Sequence, residues 1–239
     1  MAEITDKTNT AAADSIEAGA AATATLDAPS GSGTGATAEP EGYGELTPAE
    51  LVSDRGELIR SAAIFILGII GLVAASTLAI EKYKLLTEPS YIPSCSINPI
   101  LSCGSVMSHE QAAFFGFPNP YFGIGAYVVP ILLGALALSK VVIPRWFWAG
   151  LAAGSMIGIV AIHYLITQSL YVIHALCPYC MVVWTITPAI FVLAVQKAVA
   201  GKPRLAQWAG WLWPMVIIWY FVILALIGNE FWYYWKTLI

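Results

Sequence analysis

Five stretches of the chain carry no charged residue for about twenty positions: 61–80, 121–139, 146–166, 177–195 and 208–227. Each is long enough to cross a bilayer as a helix, which needs roughly 20 apolar residues. The pattern predicts an all-α integral membrane protein with five transmembrane helices. Lys140 and Arg145 bracket a tight connection, so the second and third spans are expected to form a helical hairpin. Pro130, Pro188 and Pro214 fall within spans and predict kinks, which neighbouring helices tolerate. Trp146, Trp148, Trp208, Trp211, Tyr233 and Tyr234 near span ends read as an interfacial aromatic belt.

Composition agrees with this pattern and sets the tail apart. Hydrophobic residues make up 58% and charged residues 11% of the 239 positions, and the mean hydropathy is +0.72. Of fifteen acids, eleven lie at or before Glu57, so the negative charge is concentrated in residues 1–57 and not in the body. Residues 1–50 are rich in Ala, Thr, Gly and Ser and poor in large apolar side chains. Such a segment buries too little surface to offset its ordering entropy, and a disordered acidic tail is expected. It lacks the basic start and early apolar run of a signal peptide. Nothing in it suggests a nucleic-acid partner.

Basic residues orient the spans. Arg55, Arg60, Lys140, Arg145, Lys197, Lys202 and Arg204 share one side of a chain that crosses five times, against Lys82, Lys84 and Lys236 on the other. This seven-to-three division places the N-terminus in the cytoplasm and the C-terminus outside. The long connection 81–120 then lies outside. Within it Ser108-His109-Glu110-Gln111 is a weak capping-box match, followed by Ala112 to Phe115, and predicts a short surface helix. Glu81, Glu88, His109 and Glu110 read as solvated loop residues. His163, inside the third span, reads as a hydrogen-bonded packing histidine.

The four cysteines change the picture most. Cys177-Pro178-Tyr179-Cys180 opens the fourth span, where the positive end of a helix dipole stabilises a thiolate. Pro178 suits a first helical position, which predicts Cys177 as the N-cap. His174, three residues earlier, reads equally as a surface histidine or as a group that lowers the Cys177 pKa or relays a proton. Cys95 and Cys103 form the second close pair, and all four thiols fall on the outer side, where disulfides persist. Seven residues separate Cys95 from Cys103, unlike the paired knuckles of structural zinc, so no metal is expected. Two readings remain: two static disulfides, or a thiol–disulfide relay. A relay needs an acceptor. Without haem or dinucleotide motifs, a quinone dissolved in the membrane is the expected one.

Several of these residues together resemble the vitamin K epoxide reductase family of membrane thiol oxidoreductases. The matching features are Cys95 and Cys103 after the first span, the Ser102-Cys103 dipeptide, Asn119 with Phe122-Gly123 at the start of the second, and Cys177-Pro-Tyr-Cys180 at the fourth. The resemblance implies a four-helix catalytic bundle over 58–200 with outer loop 81–120, and a fifth transmembrane helix in 201–239. It implies that Cys180 lies beside the quinone, that Cys177 is its disulfide partner, that Cys103 attacks Cys177, and that Cys95 exchanges with an external dithiol protein. Asn119 would hydrogen-bond a quinone carbonyl, and Phe122 would belong to the same pocket. Trp184 stands where some relatives carry Tyr; it can stack on the quinone and donate one N–H.

The implied activity is re-oxidation of a separate thioredoxin-fold oxidase outside the membrane, with two electrons passed to a menaquinone or ubiquinone. The acidic tail points to the cell membrane of a bacterium. Two alternatives are an animal-type vitamin K epoxide reductase and a non-enzymatic scaffold with two structural disulfides.

Overall fold

Backbone in hydrocarbon must satisfy its own hydrogen bonds, so an uncharged stretch of this length folds as a helix. The computed structural model describes residues 48–236 apart from 89, 99 and 110–115. Its helices are α1 (Pro48–Thr87), α2 (Cys103–Ser108), α3 (Pro120–Leu138), α4 (Arg145–Gln168), α5 (Pro178–Ala198), α6 (Pro203–Gly210), α7 (Leu212–Glu230) and α8 (Trp232–Trp235), with a π-helical turn at Ser169–Ile173 after α4. Five segments are long and apolar enough to cross a membrane: Arg55–Thr87, Pro120–Leu138, Arg145–Ile173, Pro178–Ala198 and Pro203–Glu230. The fold is therefore an all-α integral membrane protein. Among the described residues the only β pairing is an isolated parallel bridge between Leu101 and Leu176.

α1 packs chiefly on α3 and α4 on α5, while α1 and α5 join the two pairs into a four-helix bundle. Lipid gives helices no hydrophobic reason to associate, so close contact depends on small residues. Gly68 and Gly71 of α1 and Gly134 of α3 supply that seam. A Cβ on Gly134 would lie 2.9 Å from the Phe65 Cα and backbone nitrogen, and one on Gly68 would lie 2.8 Å from the Ile131 side chain. A Cβ on Gly71 would strike the Tyr127 ring. α3 and α4, adjacent in sequence, touch little, so the expected hairpin is a chain connection and not a packing unit.

Several expectations are corrected. α1 begins at Pro48, so the boundary drawn at residue 57 falls inside a helix. Glu57 is held there because Lys197, only 7% exposed, donates to its Oε2 at 2.8 Å and to Ser61 Oγ at 3.0 Å. Trp148 is not a belt residue. It is buried under the Lys197 ammonium, 4.6 Å from the ring centre. Trp146, Trp208, Trp211 and Tyr233 are exposed. Pro214 sits in the first turn of α7, just past a break at Trp211, where it displaces no helical hydrogen bond. Residues 1–47, and positions 110–115 of the expected surface helix, lie outside the described residues. The described short helix is instead α2, whose N-cap Ser102 accepts from the Ser105 N–H at 3.2 Å.

The fifth span docks through polar side chains. Trp219 Nε1 donates to His163 Nε2 at 2.8 Å, and His163 Nδ1 donates to the Ile159 carbonyl at 2.8 Å, which fixes the neutral tautomer. Tyr220 donates to the Thr185 carbonyl. At the cysteine end, fully buried Phe231 joins Ile100, Leu170, Leu176 and Trp184 in one apolar cluster.

Gly134→Ala is expected to destabilise the bundle by roughly 1–3 kcal/mol, because the obstacle is backbone and cannot yield. Gly150→Ala, with nothing within 4 Å of its added Cβ, is the control and should leave the thermal midpoint in detergent unchanged or raised.

Candidate redox site

The two cysteine pairs meet where the loop after α1 crosses the start of α5. Asn98 shapes the loop: its Oδ1 accepts from the Ile100 and Leu101 N–H groups at 3.0 and 2.7 Å, an Asx turn that returns the chain toward Cys95. The returning strand of loop then pairs with the segment before the CxxC motif. Leu176 N–H donates to the Ile100 carbonyl at 2.7 Å, and Ser102 N–H donates to the Leu176 carbonyl at 2.9 Å. Each residue next in sequence is a cysteine, so this pairing sets Cys103 against Cys177.

Cys95 and Cys103 form a disulfide, with Cα atoms 5.5 Å apart, and Cys177 and Cys180 are free thiols. Cys103 Sγ lies 3.1 Å from Cys177 Sγ, inside ordinary sulfur–sulfur contact. Both sulfurs belong to fully buried residues. Cys177 is the N-cap of α5, with Pro178 at the first helical position. Its thiol is held below the usual cysteine value by a hydrogen bond from the Cys180 thiol and by the Cys180 and Tyr179 N–H groups of the first turn, against burial, which raises it. A thiolate at this point is the attacking form in disulfide exchange.

Cys180 lines a cavity of about 140 Å³ that Cys177 does not reach. Its walls come from α1 (Ala75, Leu78), α2 (Val106, Met107), α3 and its N-cap (Asn119, Gly123, Tyr127), α4 (Ile162, Leu165, Gln168) and α5 (Val183, Trp184). Of the residues singled out from the sequence, Asn119, Cys180 and Trp184 are in this lining, and Phe122 and His174 are not. Phe122 stacks on Phe117 instead, with centroids 4.5 Å apart. His174 caps the π-helical turn in a left-handed conformation and places Nδ1 3.1 Å from Glu230 Oε1. Tyr127 and Gln168 are cavity residues that sequence reasoning missed. Tyr127 shares a 2.8 Å hydrogen bond with Thr187 Oγ1, and no motif distinguishes it from any other aromatic in an apolar span.

The loop is also fastened to the last turns of α1, and this overturns the reading of Glu81 as a solvated loop residue. Glu81 is 6% exposed and accepts from Ser94 Oγ at 2.6 Å, Tyr91 Oη at 2.8 Å and Ser94 N–H at 3.3 Å. The carboxylate raises the Tyr91 pKa by accepting its hydrogen bond. Its neighbour Lys82 donates from Nζ to the Met107 carbonyl in the last turn of α2 at 2.6 Å, where a helix C-terminus favours a cation. No group of three or more potential metal ligands occurs among the described residues.

A helical membrane bundle with a dithiol, its Cys177 buried, against a disulfide defines a class, the membrane-embedded thiol oxidoreductases. The model of the vitamin K epoxide reductase family matches residues 62–195, more than half of the chain and all four cysteines, and the protein belongs to that family. Comparison with curated proteins returns no match.

The lowered Cys177 pKa has a testable consequence. A thiol whose folded value is depressed keeps its thiolate to lower pH than a free cysteine and loses it as pH falls through that value. The ultraviolet thiolate absorbance of the protein with Cys177 and Cys180 reduced should therefore contain a component that titrates below an ordinary free cysteine. The low-pH component should be absent in Cys177→Ser.

Proposed function

We propose that the protein re-oxidises a dithiol protein outside the cytoplasm and delivers two electrons, through Cys95/Cys103 and then Cys177/Cys180, to a quinone in the membrane. The observation that carries this reading is the 3.1 Å approach of Cys103 to Cys177 next to a cavity lined by Cys180. Inert bridges would have no reason to hold a free thiol against a disulfide, nor to bury it there.

The cavity suits a quinone by the chemistry of its lining. Apolar walls from the surrounding helices fit a flat carbon ring, Trp184 offers an aromatic face, and the Asn119 and Gln168 amides offer donors for carbonyl oxygens. A quinone bound there supplies a two-electron, two-proton acceptor. The residues act around it in sequence. A partner thiolate attacks Cys95 and frees Cys103; the second partner thiol then displaces Cys95 and leaves the partner oxidised. Cys103 attacks Cys177 of the Cys177–Cys180 disulfide and releases Cys180 as a thiolate. Cys95 attacks Cys103, the 95–103 bridge re-forms, and Cys177 leaves as a thiolate. Closing the Cys177–Cys180 disulfide again gives up two electrons and two protons at the cavity wall. Net direction follows the potentials, about 1.4 kcal/mol for each 30 mV.

The partner expected is a thioredoxin-fold oxidase, and the basic residues support placing both pairs outside the cytoplasm of a bacterial cell. With purified protein, a reduced thioredoxin-fold protein and a soluble quinone, quinol should form in the wild type. In Cys177→Ala and Cys180→Ala it should fall to the uncatalysed rate. Cys95→Ala should lose the protein substrate and keep a small dithiol. Full quinol formation by Cys180→Ala would exclude the scheme, and supplying vitamin K epoxide in place of quinone reads out the epoxide reductase alternative.

A further inference from the structure

The relay just described needs Cys103 to serve two partners in turn, Cys95 and Cys177, and the structure fastens the two sides of Cys103 separately. The segment before Cys95 is tied to α1 through Glu81, which takes three hydrogen bonds from Tyr91 and Ser94. The segment carrying Cys103 is tied elsewhere: at its front by the backbone pairing with Leu176, and at its back by Lys82 on the Met107 carbonyl. Apart from the disulfide, the links seen between the two segments lie after Cys95: the Ile97 and Asn98 N–H groups donate to the Leu101 carbonyl at 2.8 and 3.3 Å, Asn98 Oδ1 accepts from Ile100 and Leu101, and Ser96 Oγ accepts from Gly104 N–H at 3.4 Å and lies 3.5 Å from Ser102 Oγ. The Ser96 contacts are weak at such lengths, and the bonds around Leu101 close the loop without involving the Tyr91 and Ser94 groups that Glu81 holds.

We propose that Glu81 and Lys82, adjacent on α1, are positioning residues for opposite disulfides of the relay, Glu81 for Cys95–Cys103 and Lys82 for Cys103–Cys177. The proposal rests on the relay reading. Glu81 raises the effective concentration of Cys95 at Cys103, because Ser94 precedes Cys95 directly. It thereby favours resolution of the 103–177 mixed disulfide, in which Cys95 bonds to Cys103 and Cys177 departs as a thiolate. Lys82 holds the far end of α2, so that Cys103 at its first position stays on Cys177 when the 95–103 bridge is open. Consecutive helical residues point about a hundred degrees apart, and this divergence lets one turn of α1 reach both segments.

The test needs neither quinone nor partner. In the full-length Cys180→Ala protein, mild oxidation leaves three cysteines sharing one disulfide, and the two bridges that use Cys103, 95–103 and 103–177, are compared. Acid quenching and peptide mapping give their ratio. Adding Glu81→Gln should shift it toward 103–177, and adding Lys82→Met should shift it toward 95–103. Each shift should be about tenfold, the loss of one charge-assisted hydrogen bond. Tyr91→Phe with Ser94→Ala should reproduce the Glu81→Gln shift without altering α1, and Lys82→Arg should keep the parent ratio. General loosening of the loop would move both variants the same way. A shift of the same sign in both, or none in either, would overturn the assignment. Absence of any 103–177 bridge in the parent Cys180→Ala protein would instead overturn the relay, and the assignment with it.

Discussion

Two backbone hydrogen bonds at Leu176 govern the chemistry of this protein. They are the only β-type pairing among the described residues, and they join a loop to a segment seventy-odd positions later in the chain. Their effect is one of register. Because Ser102 and Leu176 each immediately precede a cysteine, pairing them fixes Cys103 opposite Cys177, at 3.1 Å. A pairing displaced by one residue would turn the side chains to opposite faces and separate the sulfurs. The pairing is protected from water by the cluster of Ile100, Leu170, Leu176 and Phe231 beneath it, so short hydrogen bonds form in a setting where leaving them unmade would be costly.

What surrounds this pairing divides the work between lipid-facing and polar contacts. Within the bundle the seam of Gly68, Gly71 and Gly134 brings α1 and α3 close enough to pin the Tyr127 ring, which is a wall of the cavity. At the opposite end of α1 a buried lysine collects Glu57, Ser61 and the face of Trp148, linking α1, α4 and α5. The fifth span adds only a few contacts, yet it places Phe231 under the cysteine loop and sets Glu230 against His174. Packing and chemistry are thus coupled: the helices that hold the bundle also wall the cavity beside Cys180.

Electrostatics then differentiate chemically identical thiols. Cys177, at the head of α5, receives N–H groups of the first turn and the Cys180 thiol, and its thiolate is favoured despite full burial. Cys180, one turn further in, faces the cavity. The loop cysteines have no such helix of useful length and are managed by tethering, through the Glu81 and Lys82 contacts.

The sequence by itself determined the spans, because an uncharged run in hydrocarbon has one way to satisfy its backbone, and it marked the four cysteines, because CxxC at the head of an apolar helix is a local pattern. It also located Asn119 and Trp184, which line the cavity, through a family resemblance carried by short motifs. Tertiary structure decided everything that depends on distant segments meeting. Phe122 and His174 looked equally suitable by sequence position, yet one stacks on Phe117 and the other turns to Glu230, since sequence proximity to a motif does not fix the direction of a side chain. Glu81 read as loop because charge ordinarily ends a span. It is buried because the loop folds back and brings Tyr91 and Ser94 to satisfy it. The contact of Cys103 with Cys177 belongs to the same kind: a register between segments far apart in the chain, which no local pattern encodes.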